Sequence, residues 1–217
     1  VRVIVVAHRA PATRAACEQW AAAGAALVEA DVQVDRDGAI VVSHYLAFGV
    51  GGRLQRDNWR LRWHTAAVAD LRLTELATFV PAGCRILLDL KERTPEKRAR
   101  LVRAITDTLP DRSRYVVCGH PAEDVATLRE AGFASWRSIG NPRQLTALLA
   151  GSALPDEAIS VRHTLLTRGR VRRLHEHAPA VIGWTVNSVR RARTLHDWGV
   201  DGITTDRIAV LQAAANT

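Results

Sequence analysis

Leu27-Val28-Glu29-Ala30-Asp31-Val32-Gln33-Val34 is the stretch on which the reading of the fold turns. Its β-branched residues favour an extended strand. Alternate side chains of a strand share a face. Glu29 and Asp31 therefore point one way, while Val28, Val32 and Val34 point the other way, towards covering helices. Upstream, Val3–Arg9 reads as another strand and Thr13–Ala26 as an Ala-rich helix. Downstream, the Arg36-Asp37-Gly38 turn leads into Ile40–His44, a helical segment around Thr74–Phe79 and a strand at Arg85–Lys91.

The alternation then repeats to the end of the chain. Helices are expected at Pro95–Leu109, Ala122–Ala131, Pro142–Ala150, Thr167–His177, Ser188–Trp198 and Arg207–Ala215. Strands are expected at Tyr115–Cys118, Ala134–Ile139, Ala158–Arg162, Val181–Val186 and Gly202–Thr205. Each strand is too apolar to face water on either side. Regular β-α repetition implies a parallel sheet covered by helices, and eight units imply closure into a single-domain (β/α)8 TIM barrel over residues 1–217. A doubly wound open sheet is the alternative, but no G-x-G-x-x-G follows any strand. Leu46–Leu71 is the one long irregular insertion. It starts where the second strand ends, so it is expected over the active face.

Composition narrows the function classes. The 217 residues are 47% hydrophobic and 24% charged, which is ordinary for a globular domain. No apolar run reaches the length of a membrane span. The formal charge of +8 is almost wholly arginine, scattered along the chain without an RNA-binding aromatic signature, so nucleic acid is not an expected partner. Cys17, Cys84 and Cys118 are odd in number and far apart, which suggests neither a disulfide framework nor a zinc site and favours a reducing cytoplasm. The chain holds no Met, so Val1 does not read as a translated start and a removed leader stays compatible with the sequence.

In a barrel of this kind, catalytic groups gather at the C-terminal ends of the strands. Unusual polar residues stand at those ends: His8 and Arg9, Glu29 and Asp31, His44, Asp89 and Lys91, Asn187, and Asp206. Asp89 and Lys91 share a face, with Leu88 and Leu90 opposite. Paired carboxylates in a packed interior repel each other and are costly to desolvate, so they need a proton or a cation between them. A third carboxylate, Asp89, makes a hard divalent ion the natural solution. Salt bridges from Glu29 and Asp31 to Arg9 and Lys91 are the structural alternative. His8 and His44 offer groups that titrate near neutral pH, suited to moving protons. Arg9 and Lys91 offer charge to phosphoryl oxygens.

These residues together resemble the glycerophosphodiester phosphodiesterase family. The matching text is His8-Arg9-Ala10, Gly24-Ala25 through Glu29-Ala30-Asp31-Val32 to Asp37-Gly38, Val41-Val42-Ser43-His44-Tyr45, and Asp89-Leu90-Lys91. Gly183-Trp184-Thr185-Val186-Asn187 and Gly199–Asp206 continue it. The resemblance implies a metal-dependent barrel that hydrolyses glycerophosphodiesters to glycerol 3-phosphate and an alcohol. It implies His8 and His44 as the acid–base pair, and Glu29, Asp31 and Asp89 as ligands of one Mg2+ or Ca2+. Arg9 and Lys91 would contact phosphate, and Trp184 would line the pocket for the alcohol. Four departures stand out: the Glu of the family's P-E-N-T is missing at Pro11-Ala12-Thr13, Ala10 replaces Gly, Tyr45 replaces Asp, and Asp89 replaces Glu. The Asp at position 89 is similar to the sphingomyelinase D branch of the same barrels. That likeness implies a second candidate activity, formation of cyclic phosphates from lysophospholipids, and the third is a phosphate-binding barrel without turnover.

Among the remaining residues, His175, His177 and His196 read as solvated helix positions, and His120 and His163 stand near strand ends. Trp20, Trp136 and Trp198 are expected in helix–barrel packing. Trp59 and Trp63 are insertion residues available for substrate or lipid. Cys118 reads as a small buried filler.

Overall fold

A computed structural model describes residues 3–9, 13–42, 45–47, 53–57, 60–64, 71–92, 94–119, 121–152 and 154–215. Eight parallel strands form a closed ring: β1 (Ile4–Ala7), β2 (Leu27–Val34), β3 (Arg85–Leu90), β4 (Tyr115–Gly119), β5 (Ala134–Ile139), β6 (Ala158–Arg162), β7 (Ala180–Trp184) and β8 (Gly202–Thr205). Neighbours in the ring follow chain order, and β1 pairs with both β2 and β8 to close it. The helices are α1 (Arg14–Ala22), α2 (Leu73–Phe79), α3 (Pro95–Thr108), α4 (Ala122–Glu130), α5 (Pro142–Leu149), α6 (Arg168–Leu174), α7 (Val189–Asp197) and α8 (Ile208–Ala215). The TIM barrel expected from the sequence is therefore the fold.

Two apolar layers hold the ring. Val28, Ala30, Val32, Leu88 and Leu90 face outwards and pack with helix residues such as Leu76, Leu101 and Ile105. Val6, Leu27, Leu87, Val116, Trp136, Ala158 and Ile182 fill the interior. Trp136 thus plugs the barrel from inside and does not pack beneath a helix as the sequence suggested. Gly202 is required in that interior: a Cβ built there would lie 2.3 Å from the Ile4 carbonyl oxygen.

Helix starts follow from local chemistry. Thr13, Thr94, Thr167 and Ser188 accept first-turn N–H groups at α1, α3, α6 and α7, and Asn141 with Gln144 forms a capping box at α5. After β2 the chain turns back at Asp35, whose Oδ1 accepts the N–H groups of Asp37 and Ala39 at 2.9 and 2.8 Å, while Gly38 takes φ +88°. Ile40–Val42 then runs antiparallel to β2. The insertion is more regular than expected, since Tyr45–Ala47, Arg53–Asp57 and Arg60–His64 pair as a three-stranded antiparallel sheet.

At the N-terminal end of the barrel, the carboxylate of Asp156 is fully buried. It accepts from Ser135 Oγ at 2.6 Å and meets Arg137 at 3.2 Å and Arg129 at 3.5 Å. This end of a barrel serves stability.

Candidate active site

The inward parity of each strand carries polar residues upward to one cavity of about 640 Å³ at the C-terminal mouth. His8, Arg9, Glu29, Asp31, Asp89, Lys91 and Trp184 all line it, so seven of the eight residues named from sequence converge. The eighth, His44, lies outside the described residues, as do His120, Trp59 and Ala10.

Glu29, Asp31 and Asp89 each offer a carboxylate oxygen within 4.8 Å of the others. Strand register explains the convergence, because Asp31 and Asp89 are direct partners across β2 and β3. Lys91 follows the end of β3, and its N–H still bonds the Val32 carbonyl at 3.2 Å. Its Nζ reaches Asp89 at 2.5 Å and Asp31 at 3.2 Å. The salt-bridge alternative is thus present for Lys91, yet three carboxylates against one ammonium leave a formal charge of −2.

The electrostatics record that imbalance. Burial, then the charges of Asp31 and Asp89, push the Glu29 carboxyl well above its ordinary range, against Lys91 and the Arg9 N–H. Burial likewise raises Asp89, with Lys91 opposing. Burial would lower Lys91, but Asp89, Asp31 and Glu29 outweigh it and hold the ammonium charged. A hard, all-oxygen donor set with a net charge of −2 fits one divalent cation such as Mg2+ or Ca2+.

Arg9 adopts φ 57°, a left-handed conformation that costs a non-glycine residue of order 1 kcal/mol. In that conformation its N–H donates to Glu29 Oε2 at 2.7 Å. His8 is held from the far end of the chain: its Nδ1 lies 2.5 Å from Asp206 Oδ1, and its Nε2 is 3.9 Å from Glu29 Oε2. Asn187 fixes Asp206 by donating from Nδ2 to Oδ2 at 2.6 Å. Its own Oδ1 accepts from the Asp206 N–H and the Thr205 hydroxyl. Burial raises the Asp206 carboxyl, but the His8 and Asn187 hydrogen bonds and the charges of His8 and Arg9 leave it below the usual range.

Sequence reasoning noticed Asn187 and Asp206 as strand-end polar residues but gave them no part. Ser138, Ser160, Arg162 and Thr204 also line the cavity, and only strand parity marks them in sequence. His163 turns away from it and meets Arg191 at 3.3 Å. His175 and His177 follow α6, and His177 is buried against the Ser152 carbonyl, not solvated. Cys118 is buried beneath Asp89, and burial pushes its thiol well above the ordinary value, which suits a filler. The three cysteines are buried and form no disulfide.

Comparison with known proteins gives this arrangement a context. The Glycerophosphoryl diester phosphodiesterase family model matches residues 138–210. A Mycobacterium tuberculosis protein named "Probable glycerophosphodiester phosphodiesterase 2" is 26% identical, with 91% of this chain and 82% of the relative covered. An Oleispira antarctica phosphodiesterase solved with the product sn-glycerol-3-phosphate superposes with a TM-score of 0.72 at 16% identity, covering 100% and 98% of the two chains. A Thermotoga maritima glycerophosphodiester phosphodiesterase does so with 0.69 at 19% identity, covering 96% of each. The two structures share the barrel fold. On the matched segment and the near-full-length relative, the chain is similar to the glycerophosphodiester phosphodiesterase family.

Proposed function

We propose that this protein is a divalent-metal-dependent phosphodiesterase that hydrolyses glycerophosphodiesters to glycerol 3-phosphate and an alcohol. The observation that carries the reading is the convergence of Glu29, Asp31 and Asp89 beside Lys91, Arg9 and an Asp206-held His8 in one cavity. The Oleispira phosphodiesterase, whose product complex is sn-glycerol-3-phosphate, supports the choice of substrate.

Glu29, Asp31 and Asp89 would hold the cation, Mg2+ or Ca2+, which supplies Lewis-acid charge at the phosphoryl oxygens. Lys91 and Arg9 add positive charge on the same side of the cavity. With Asp206 accepting from Nδ1, His8 presents Nε2 as the atom that exchanges a proton with the reacting oxygens. His44 supplies the second proton-transfer group. Trp184 forms part of the wall against which the alcohol packs. Cytoplasmic residence agrees with three cysteines that form no disulfide; no helix among the described residues is long and apolar enough to cross a membrane.

Phosphorus NMR of the products formed in isotopically labelled water tests the reaction. The reading expects glycerol 3-phosphate carrying one labelled oxygen. The shorter Asp89 carboxylate favours a second reading, attack by a neighbouring substrate hydroxyl on a lysophospholipid. A cyclic phosphate free of label, formed from lysophosphatidylcholine and not from its deacylated form, would select that reading.

A further inference from the structure

The cavity has two poles. β2, with Glu29 and Asp31, and β6, with Ser160 and Arg162, are four strands apart in either direction around the eight-strand ring, and so face each other across it. Arg162 is the last residue of β6 and shares inward parity with Ala158 and Ser160. It lines the cavity mouth and is exposed there. Among the described residues it makes no hydrogen bond and no ion pair. That isolation contrasts with Lys91, which two carboxylates hold, and with His8, which Asp206 holds. Among the described residues, the carboxylates lining the cavity all stand at the β2–β3 pole; around Arg162 the wall is Ser138, Ser160, Trp184 and Thr185.

A guanidinium presents a planar fork of donors matched to carboxylate and phosphate oxygens. Arg162 stands beside Trp184, its register partner on β7. An aromatic ring there could take a cationic headgroup, but the adjacent fixed positive charge opposes one. A diester with its phosphoryl group at the carboxylate pole has room to extend one of its two alcohol parts across the cavity towards Arg162. We infer that Arg162 is a specificity-determining residue that binds an anionic group, a phosphomonoester or a carboxylate, carried by the alcohol part of the substrate. The inference rests on the phosphodiesterase reading and deepens it.

The test compares pairs that differ in that group: glycerophosphoinositol 4-phosphate with glycerophosphoinositol, and glycerophosphoserine with glycerophosphoethanolamine. Wild-type kcat/KM should be about tenfold or more higher for the anionic member of at least one pair, as expected for a charged hydrogen bond. Arg162→Gln should collapse that ratio by raising KM for the anionic member selectively, and Arg162→Lys should retain part of it. Equal rates within both pairs, or an equal loss on all four substrates in Arg162→Gln, would overturn the inference. Calorimetric binding of the same compounds in chelator separates the two claims. A binding preference that Arg162→Gln removes, with no turnover of any diester, would refute the hydrolytic reading and leave the anion site standing. Turnover without any preference would do the reverse.

Discussion

Thermal unfolding in EDTA and in graded Mg2+ or Ca2+ reads the Glu29–Asp31–Asp89 cluster directly. Without a cation, the three carboxylates and Lys91 sum to a formal charge of −2 around a Glu29 that is only 3% exposed. The Glu29 and Asp89 carboxyls are raised in the folded protein, by burial first and then by their neighbours. A raised carboxyl contributes stability that is fully present below its unfolded value, near pH 4, and lost as pH rises through the folded value. The ion-free protein should therefore lose stability from about pH 4 upwards. A cation binds the deprotonated cluster and opposes this loss, so its effect should grow with pH over the same window. At a hundred times its dissociation constant, an ion stabilises by about 2.7 kcal/mol. For a chain of this length each kcal/mol moves Tm by about 2–4 °C, so the expected rise is about 5–11 °C at neutral pH. Glu29→Gln keeps the shape and an oxygen for the Arg9 N–H but removes one repelling charge. This variant should be at least as stable as wild type in EDTA and lose most of the ion-induced rise. A wild-type Tm indifferent to both ions, or a Glu29→Gln variant with an undiminished rise, would rule out ion binding at this cluster.

Three other perturbations follow from named contacts. Asp206→Asn removes the carboxylate 2.5 Å from His8 Nδ1; kcat should fall roughly 10²–10⁴-fold with little change in KM, measured by steady-state kinetics. Asp156→Ala leaves Arg129 and Arg137 without their buried counter-charge and should cost about 3–5 kcal/mol in urea unfolding, with the cavity unaltered in ligand binding. Gly202→Ala forces a methyl against the Ile4 carbonyl and should cost about 1–3 kcal/mol or more; a cost below 0.5 kcal/mol, read in the same urea experiment, would contradict the packing described.

How far the sequence reveals this molecule depends on the range of the interaction concerned. The bounds of β2, β6 and β8 follow from local pattern, because β-branched runs bounded by turns leave little choice. The facing of β2 is equally legible: a strand that alternates carboxylates with valines must segregate them. β5 shows where this logic stops. Ala134-Ser135-Trp136-Arg137-Ser138-Ile139 mixes polar and apolar residues on both faces, so nothing local says that Trp136 points inwards. Arg137 meets a counter-charge outside only because Asp156 waits there. The His8–Asp206 pair spans 198 positions and depends on ring closure between β1 and β8, which no local window contains. Arg162 was invisible for another reason. As one arginine in an arginine-rich chain, it is distinguished only by its place on β6 and by the absence of a partner among the described residues.

The carboxylate cluster and His8 are proposed to act together on a glycerophosphodiester. The initial rate of glycerol 3-phosphate release from glycerophosphocholine and glycerophosphoinositol, measured with a divalent ion and again in excess chelator, tests it most directly. For the wild type, release should require the ion, stop on chelation and resume when the ion is returned. Glu29→Ala and His8→Ala, verified as folded, should each reduce it by at least a hundredfold, the scale of one lost acid–base group. Release that persists in chelator and in Glu29→Ala would contradict the claim.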